Sequence, residues 1–122
     1  MKEKKINDVL HTLMSTNSSI EGVALVTSDG LMISSHLTQD MDEDRISAMS
    51  AALLSLSERA VEELGKGTPE QVTLKGSNGY IVLTAAGEEA VLTVTTNVSA
   101  KLGLIYMDVK NAAKELKSIF SM

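Results

Sequence analysis

Three apolar segments in the second half of the chain are joined by connections too short to hold a crossover helix. The segments are 71–75, 80–84 and 90–95, and they are separated by Gly76-Ser77-Asn78-Gly79 and Ala86-Gly87-Glu88-Glu89. Parallel neighbours need a connection of a dozen or more residues, whereas antiparallel neighbours need only a tight turn. The pattern therefore predicts an antiparallel meander. Its first segment alternates polar and apolar residues, as expected of a less enclosed strand.

The remaining segments complete a layered α+β pattern. Strands are predicted at 22–27 and 31–34, because Asp29-Gly30 between them supplies the positive φ of a tight turn. Apolar residues at helical spacing predict helices at about 3–15, at about 42–64, and after Ser99, which we expect to cap the last helix.

The predicted order is αββαβββα. We expect a five-stranded antiparallel sheet with the long middle helix on one face and the two terminal helices on the other. This α/β sandwich has a profilin-like or longin-like layout, and the 122 residues are predicted to form a single domain.

The predicted middle helix carries no charged residue from Ile46 through Ser57, which is unusual for a helix with one solvated face. At 100° per residue, its larger apolar residues form a stripe that we predict to lie on the sheet: Ile46, Met49, Leu53, Leu56, Ala60 and Leu64. Small residues fall on the opposite side, namely Ala48, Ala51 and Ser55. Small side chains let a second helix approach closely, so we predict a homodimer that pairs these helices. The alternative is a solvated face of residues that a helix tolerates.

Charge and composition narrow the classes of partner. Sixteen acidic and eleven basic residues give a net charge of −5, which repels phosphate backbones and anionic lipids unless the lysines cluster. We therefore expect neither nucleic acid nor membrane as a partner. The chain has no cysteine, and Met1–Lys5 is followed by an amphipathic stretch instead of a signal-like apolar run. Cytoplasmic localisation is the expectation.

Two motif-like segments do not fit the chemistry that they superficially suggest. Gly65-Lys66-Gly67-Thr68 lacks the earlier glycine of a phosphate loop and follows a predicted helix instead of joining a strand to one. Asp40, Asp42 and Asp44 have the first spacing of a calcium loop, but Arg45 stands where a glycine is required. Helix capping explains these acids better.

Histidine and arginine positions offer no catalytic pattern either. His11 and His36 have no second histidine at metal-ligand spacing, and we expect both to be surface residues. Arg59 is four residues or fewer from Glu62 and Glu63, so an ordinary surface ion pair is expected there, and Arg45 similarly neighbours Asp42. Any arginine finger would have to be Arg45 or Arg59, since these are the chain's two arginines. We predict no catalytic, cofactor or metal site, and a protein that is not itself an enzyme.

Several segments together resemble the Roadblock/dynein light chain family over nearly the whole chain. They are Gly22–Leu31, the Ala/Leu/Ser-rich helix that ends in Glu62-Glu63-Leu64-Gly65, and Ala100-Lys101-Leu102-Gly103-Leu104. The resemblance implies a homodimer in which the third strand, here Val72 to Lys75, pairs across the twofold axis beside the paired middle helices. The residues expected at the dimer and partner interface are Ala48, Ala51, Ala52, Ser55, Arg59, Val72 and Leu74.

The resemblance also implies a function. Prokaryotic MglB-like members regulate a Ras-like GTPase on the surface of the paired helices, whereas eukaryotic members serve as dynein subunits or scaffold components. The hypothesis is a non-catalytic homodimer that binds a small Ras-like GTPase and either stimulates its GTP hydrolysis or controls its localisation. The alternative is a sensory domain with a small-molecule pocket between sheet and helices. Tyr80, Tyr106 and Phe120 are the chain's three aromatic residues, so there is little to stack on a planar ligand.

Overall fold

The computed structural model describes residues 1–38 and 40–120. Within them, three helices and five strands follow in the predicted order αββαβββα. The elements are α1 (Lys2–Thr16), β1 (Ile20–Thr27), β2 (Met32–Leu37), α2 (Glu43–Glu63), β3 (Gln71–Gly76), β4 (Gly79–Ala85), β5 (Ala90–Thr96) and α3 (Leu102–Phe120). No helix in the described ranges combines the length and the apolar character needed to cross a membrane.

The five strands form one sheet in the order β2-β1-β5-β4-β3, and all neighbours are antiparallel. The predicted meander of β3, β4 and β5 is confirmed. The first hairpin joins it through β1, where Val23 lies opposite Val94 of β5. The Asp-Gly turn between β1 and β2 is also confirmed, since Gly30 has a φ of 92° and the Thr27 amide donates to the Leu31 carbonyl at 2.8 Å.

The face of the sheet that α1 and α3 cover holds the larger of two apolar clusters. Both helices present apolar residues at three- and four-residue spacing, so each buries one continuous stripe. The cluster includes Ile6, Leu10 and Leu13 of α1, Ile105, Val109 and Leu116 of α3, and Val23, Leu25, Val82, Leu92 and Val94 of the sheet. This layer holds the terminal helices and the central strands together.

The opposite face carries α2, as predicted, but the helix is rotated away from the expected stripe. Met49, Leu56 and Leu64 are 51%, 63% and 75% exposed, so their predicted burial on the sheet was wrong. The buried residues of α2 are instead Ser47 and Ser50. Ile46 and Leu53 do pack on the sheet, beside Leu54, which lay outside the predicted stripe. Ala60 is exposed as well.

Hydrogen bonds explain why α2 turns serines toward the sheet. The Ser50 hydroxyl lies 2.8 Å from the Thr93 hydroxyl of β5, and the Ser47 hydroxyl donates to the Glu43 carbonyl at 2.9 Å. A buried hydroxyl without a partner is costly, and both serines here are satisfied. Their small size lets α2 lie close to the strands.

One predicted helix cap is confirmed and one is wrong. Asp42 caps α2, because its carboxylate accepts the backbone N–H groups of Asp44 and Arg45 at 2.9 and 3.4 Å. Ser99 was expected to cap the last helix, yet α3 begins only at Leu102. The Ser99 amide and hydroxyl instead donate to the Asn97 carboxamide oxygen at 3.0 and 2.7 Å. Asn97 therefore organises the turn that leads into α3.

The turn between β3 and β4 requires glycine at one position. Gly79 has a φ of 151°, and a Cβ built on it would lie 1.9 Å from the Thr96 carbonyl oxygen of β5. The backbones approach too closely there for any side chain. Gly79 therefore allows the start of β4 to lie directly against the end of β5.

Candidate dimer and partner interface

The outer side of α2 carries a row of small residues that faces solvent. Ala48, Ala52, Ser55 and Arg59 are all exposed, and their spacing of three and four residues puts them on one side of the helix. The structure thus brings together four of the α2 residues expected at the interface. Ala51 lies apart from this row, half-buried at the flank of α2, where its Cβ would be 3.6 Å from a Cβ built on Gly30.

Two larger apolar residues border the row, and sequence reasoning missed them. Met49 and Leu56 are the residues that the predicted stripe had placed on the sheet. Exposed large apolar side chains that adjoin one another mark interaction surfaces more often than scattered ones do. We call the set of Ala48, Met49, Ala52, Ser55, Leu56 and Arg59 the outer α2 face. Its signal in the sequence is the uncharged stretch from Ile46 through Ser57, which carries more apolar residues than one buried stripe needs.

Guanidinium groups lie toward both ends of this uncharged stretch. Arg45 and Arg59 are separated by fourteen residues of helix, which spans about 21 Å. Within the described ranges, neither side chain forms an ion pair, so the expected pairs of Arg59 with Glu62 or Glu63 and of Arg45 with Asp42 are not formed. Arg45 meets Asp42 only through its backbone amide. Both cations remain available to a partner.

The edge strand β3 presents apolar side chains on the face of the sheet that carries α2. Val72 packs, half-buried, in the apolar cluster beneath α2, and Leu74, two residues on, therefore points to the same face of the sheet. Leu74 is 39% exposed. Thr73 points to the other face, where its hydroxyl lies 3.0 Å from the Tyr106 hydroxyl of α3.

The outer backbone edge of β3 has no neighbouring strand among the described residues. An edge strand that presents apolar side chains and unpaired backbone groups tends to pair with another strand. Val72 and Leu74 thus adjoin an edge that is competent for strand pairing, on the side of the sheet that carries α2.

Two surface grooves among the described residues are large enough to be considered as small-molecule sites. One of about 570 Å³ lies between α3 and the β3–β4 strands, where Lys110, Lys114 and Lys117 stand on one wall and Glu70 and Glu88 on the other. Another of about 390 Å³ lies between α1 and α3. Within the described part of the chain, no group of three or more His, Cys, Asp or Glu residues is placed to hold a metal ion.

These features define a class: a small α+β domain with a long helix that is uncharged from Ile46 through Ser57 and a sheet with an open edge strand. The family model of the Roadblock/LC7 domain matches residues 6–96 of the chain, which is more than half of it. The chain belongs to the Roadblock/LC7 domain family. The matched region contains all five strands and α2, and therefore every residue of the outer α2 face.

Curated relatives and solved structures extend this likeness to nearly the full length. Two uncharacterised proteins of Methanocaldococcus jannaschii are each 37% identical over 115 residues, covering 94% of this chain and 99% of the relative. MglB of Myxococcus xanthus superposes with a TM-score of 0.91 at 27% identity, covering 98% of this chain and 90% of that one. An MglB structure described as having a tetrameric arrangement superposes with a TM-score of 0.88 at 18% identity, with the same coverages.

Proposed function

We propose that this protein is a homodimeric regulatory or scaffold protein that binds a small Ras-like GTPase in the cytoplasm. The observation that carries the proposal is the orientation of α2, which turns Met49 and Leu56 to solvent and serines to the sheet. Family membership and the likeness to MglB support it, because MglB-like members of the family act on Ras-like GTPases. The protein itself supplies a binding surface and no active site of its own.

In the proposed dimer, two outer α2 faces pack against each other about a twofold axis. The small side chains of Ala48, Ala52 and Ser55 permit close approach of the helices, and Met49 and Leu56 become buried between them. The β3 strands pair across the same axis, which continues the sheet from one subunit into the next. An isologous contact of this kind uses one patch on both subunits.

The dimer is tested by placing like charges at its centre. In Ser55→Glu, each dimer brings two carboxylates together in a desolvated contact, so we expect a monomer at concentrations where the unmodified protein is dimeric. Light scattering coupled to size-exclusion chromatography measures the mass. The matched control is Ser118→Glu, the same exchange at an exposed position of α3, which should leave the dimer unchanged.

Two outcomes decide this test. A monomeric Ser55→Glu variant that keeps its helical circular dichroism supports the interface. A dimeric Ser55→Glu variant, or equal dissociation in Ser118→Glu, contradicts it.

The GTPase is tested with candidate Ras-like proteins encoded near this chain in its genome, each loaded with a GTP analogue or with GDP. We expect a stable complex on chromatography that depends on the bound nucleotide. A dimer that binds none of these proteins in either nucleotide state would contradict the GTPase proposal while leaving the dimer intact.

Substitutions of Arg59 distinguish recruitment of the GTPase from stimulation of its GTP hydrolysis. Its side chain lies toward one end of the outer α2 face, away from the centre of the proposed helix contact, and forms no ion pair within the described residues, so we expect its guanidinium group to reach a bound GTPase. If it supplies charge to the phosphoryl-transfer transition state, Arg59→Ala should lower the hydrolysis rate about a thousandfold or more while the complex persists. If the protein only recruits, the GTPase should release phosphate at its unstimulated rate with the unmodified protein and with Arg59→Ala alike. Arg59→Lys is the charge-conserving control.

The sensory alternative has less support from the structure. Fully buried side chains fill the layer between the sheet and the terminal helices, among them Leu10, Leu25, Leu92, Ile105 and Leu116. A ligand at that position would have to displace this packing. The alternative nonetheless predicts a small molecule that copurifies with the protein, which mass spectrometry of the native sample would detect.

A further inference from the structure

The contact between α1 and β2 brings together the two histidines of the chain. His11 of α1 and His36 of β2 have ring centroids 5.6 Å apart with an interplanar angle of 58°. His11 is exposed, as expected, but His36 is half-buried, so the prediction of two surface histidines holds only for the first. One turn earlier in α1, the Ser34 hydroxyl donates to the Asn7 carboxamide oxygen, which continues the same contact.

One ring nitrogen of this histidine pair lacks a hydrogen-bond partner in the described part of the chain. His36 Nε2 is buried, and none of the described residues forms a hydrogen bond with it. An imidazole nitrogen is always either a donor or an acceptor, and leaving it buried without a partner is costly. Ring packing against His11 does not satisfy this nitrogen, whereas a bound cation does.

The groove around the pair holds a third group with ligand chemistry. It measures about 330 Å³ and is lined by His11, Met14, Ser15, His36 and Leu37. Imidazole suits several transition metals, and a thioether favours the soft ion Cu(I). None of the five lining residues carries a carboxylate, so the lining offers nothing that hard cations such as Mg²⁺ or Ca²⁺ require.

We propose that this groove binds one Cu(I) ion per subunit, with His11 and His36 as nitrogen ligands and the Met14 thioether as the third ligand. The ring separation fits this arrangement. With metal–nitrogen bonds of about 2 Å, two imidazoles that share an ion have centroids roughly 5 to 6 Å apart, and the observed distance is 5.6 Å. His11 is exposed and its ring is therefore able to turn its nitrogen toward the ion.

The set of ligands also explains the choice of metal. Structural zinc sites use four protein ligands and catalytic ones use three. The described residues contain no group of three or more His, Cys, Asp or Glu residues placed to hold a metal. Two imidazoles and one thioether form a smaller and softer set, which Cu(I) accepts more readily than Zn²⁺ does.

The test titrates the full chain with Cu(I) under anaerobic conditions in the presence of a chromophoric Cu(I) chelator. We expect one Cu(I) per subunit, at least tenfold weaker binding in His11→Gln, and a smaller loss in Met14→Leu. Asn7→Ala, in the same α1–β2 contact, and Met107→Leu, at an exposed methionine of α3, are the matched controls and should bind as the unmodified protein does. X-ray absorption of the loaded protein should report both nitrogen and sulfur scatterers.

A second measurement does not depend on the chelator. A ligand that binds only the folded state raises the unfolding midpoint, so Cu(I) should stabilise the unmodified protein and not His11→Gln. His11 is exposed, so this variant should remain folded and informative. Equal Cu(I) binding by the unmodified protein and His11→Gln, or no stoichiometric binding at all, would overturn the proposal. Unchanged binding in Met14→Leu would also overturn the proposed site, because the thioether is the ligand that favours Cu(I).

Discussion

The two faces of the sheet are covered in opposite ways. On one face, α1 and α3 bury large apolar side chains, and Leu10, Ile105 and Leu116 are at most 1% exposed. On the other, the buried residues of α2 are Ser47 and Ser50, while large apolar side chains of the same helix lie in solvent. The first face therefore stabilises the subunit, and the second leaves apolar surface for a partner. Under the proposed dimer, the two sides of one sheet divide stability and interaction between them.

The largest expected change in stability comes from truncating a leucine on the face that α1 and α3 cover. Leu116→Ala removes a fully buried side chain of α3 and should destabilise the subunit by about 2 to 5 kcal/mol, from lost transfer free energy and the cavity left behind. Leu56→Ala makes the same exchange on the outer α2 face and should change stability by less than about 0.5 kcal/mol.

Denaturant unfolding of both variants in the Ser55→Glu background, where dimerisation should not contribute, measures the two free energies. Similar losses for Leu116→Ala and Leu56→Ala would break the comparison, because the two faces would then contribute equally to the stability of the subunit.

An intermediate effect tests how α2 is attached to the sheet. Ser50→Ala leaves the Thr93 hydroxyl buried without its partner 2.8 Å away, and should cost about 1 to 3 kcal/mol. Thr93→Val should cost a similar amount, and the double variant Ser50→Ala/Thr93→Val should cost clearly less than the sum. The same unfolding assay completes the cycle. Additive losses of unfolding free energy would mean that the hydroxyl pair does not fix the orientation of α2 about its own axis.

The parts of the fold that local rules govern were predictable from the sequence. Short connections determined the meander, and Asp29-Gly30 determined the first hairpin. The helices α1 and α3 were predictable from apolar residues at helical spacing, and in both of them those apolar residues are the buried ones. The rotation of α2 was not predictable in this way, because hydrophobic periodicity assumes that serine faces water, whereas Ser50 meets a hydroxyl of a strand distant in sequence.

Dependence on contacts between residues distant in sequence also limits what could be predicted of the sites. Ala48, Ala52, Ser55 and Arg59 were identified as interface candidates because a lack of charge is visible along one helix. Met49 and Leu56 were missed, because hydrophobic periodicity placed their side chains on the sheet. The contact between His11 and His36 depends on how α1 crosses β2, which no spacing within the sequence specifies.

The smallest expected effect tests the geometry of the proposed dimer. Arg45 and Glu63 are eighteen residues apart, which is five helical turns, so both lie on the same side of α2. If two helices pair antiparallel with the axis near the middle of this stretch, between Ala52 and Ser55, Arg45 faces Glu63 of the partner subunit, and the pair occurs twice.

Each single reversal, Arg45→Glu or Glu63→Arg, should therefore weaken the dimer by about 0.5 to 2 kcal/mol, and the double reversal should restore it. Sedimentation equilibrium at low salt measures the dissociation constants, and added salt should shrink the differences because it screens exposed charges. Restoration by the double variant requires opposite charges to face each other, which parallel helices would not achieve. A double variant as weak as the singles would therefore exclude this antiparallel register, even if Ser55→Glu had already located the interface on α2.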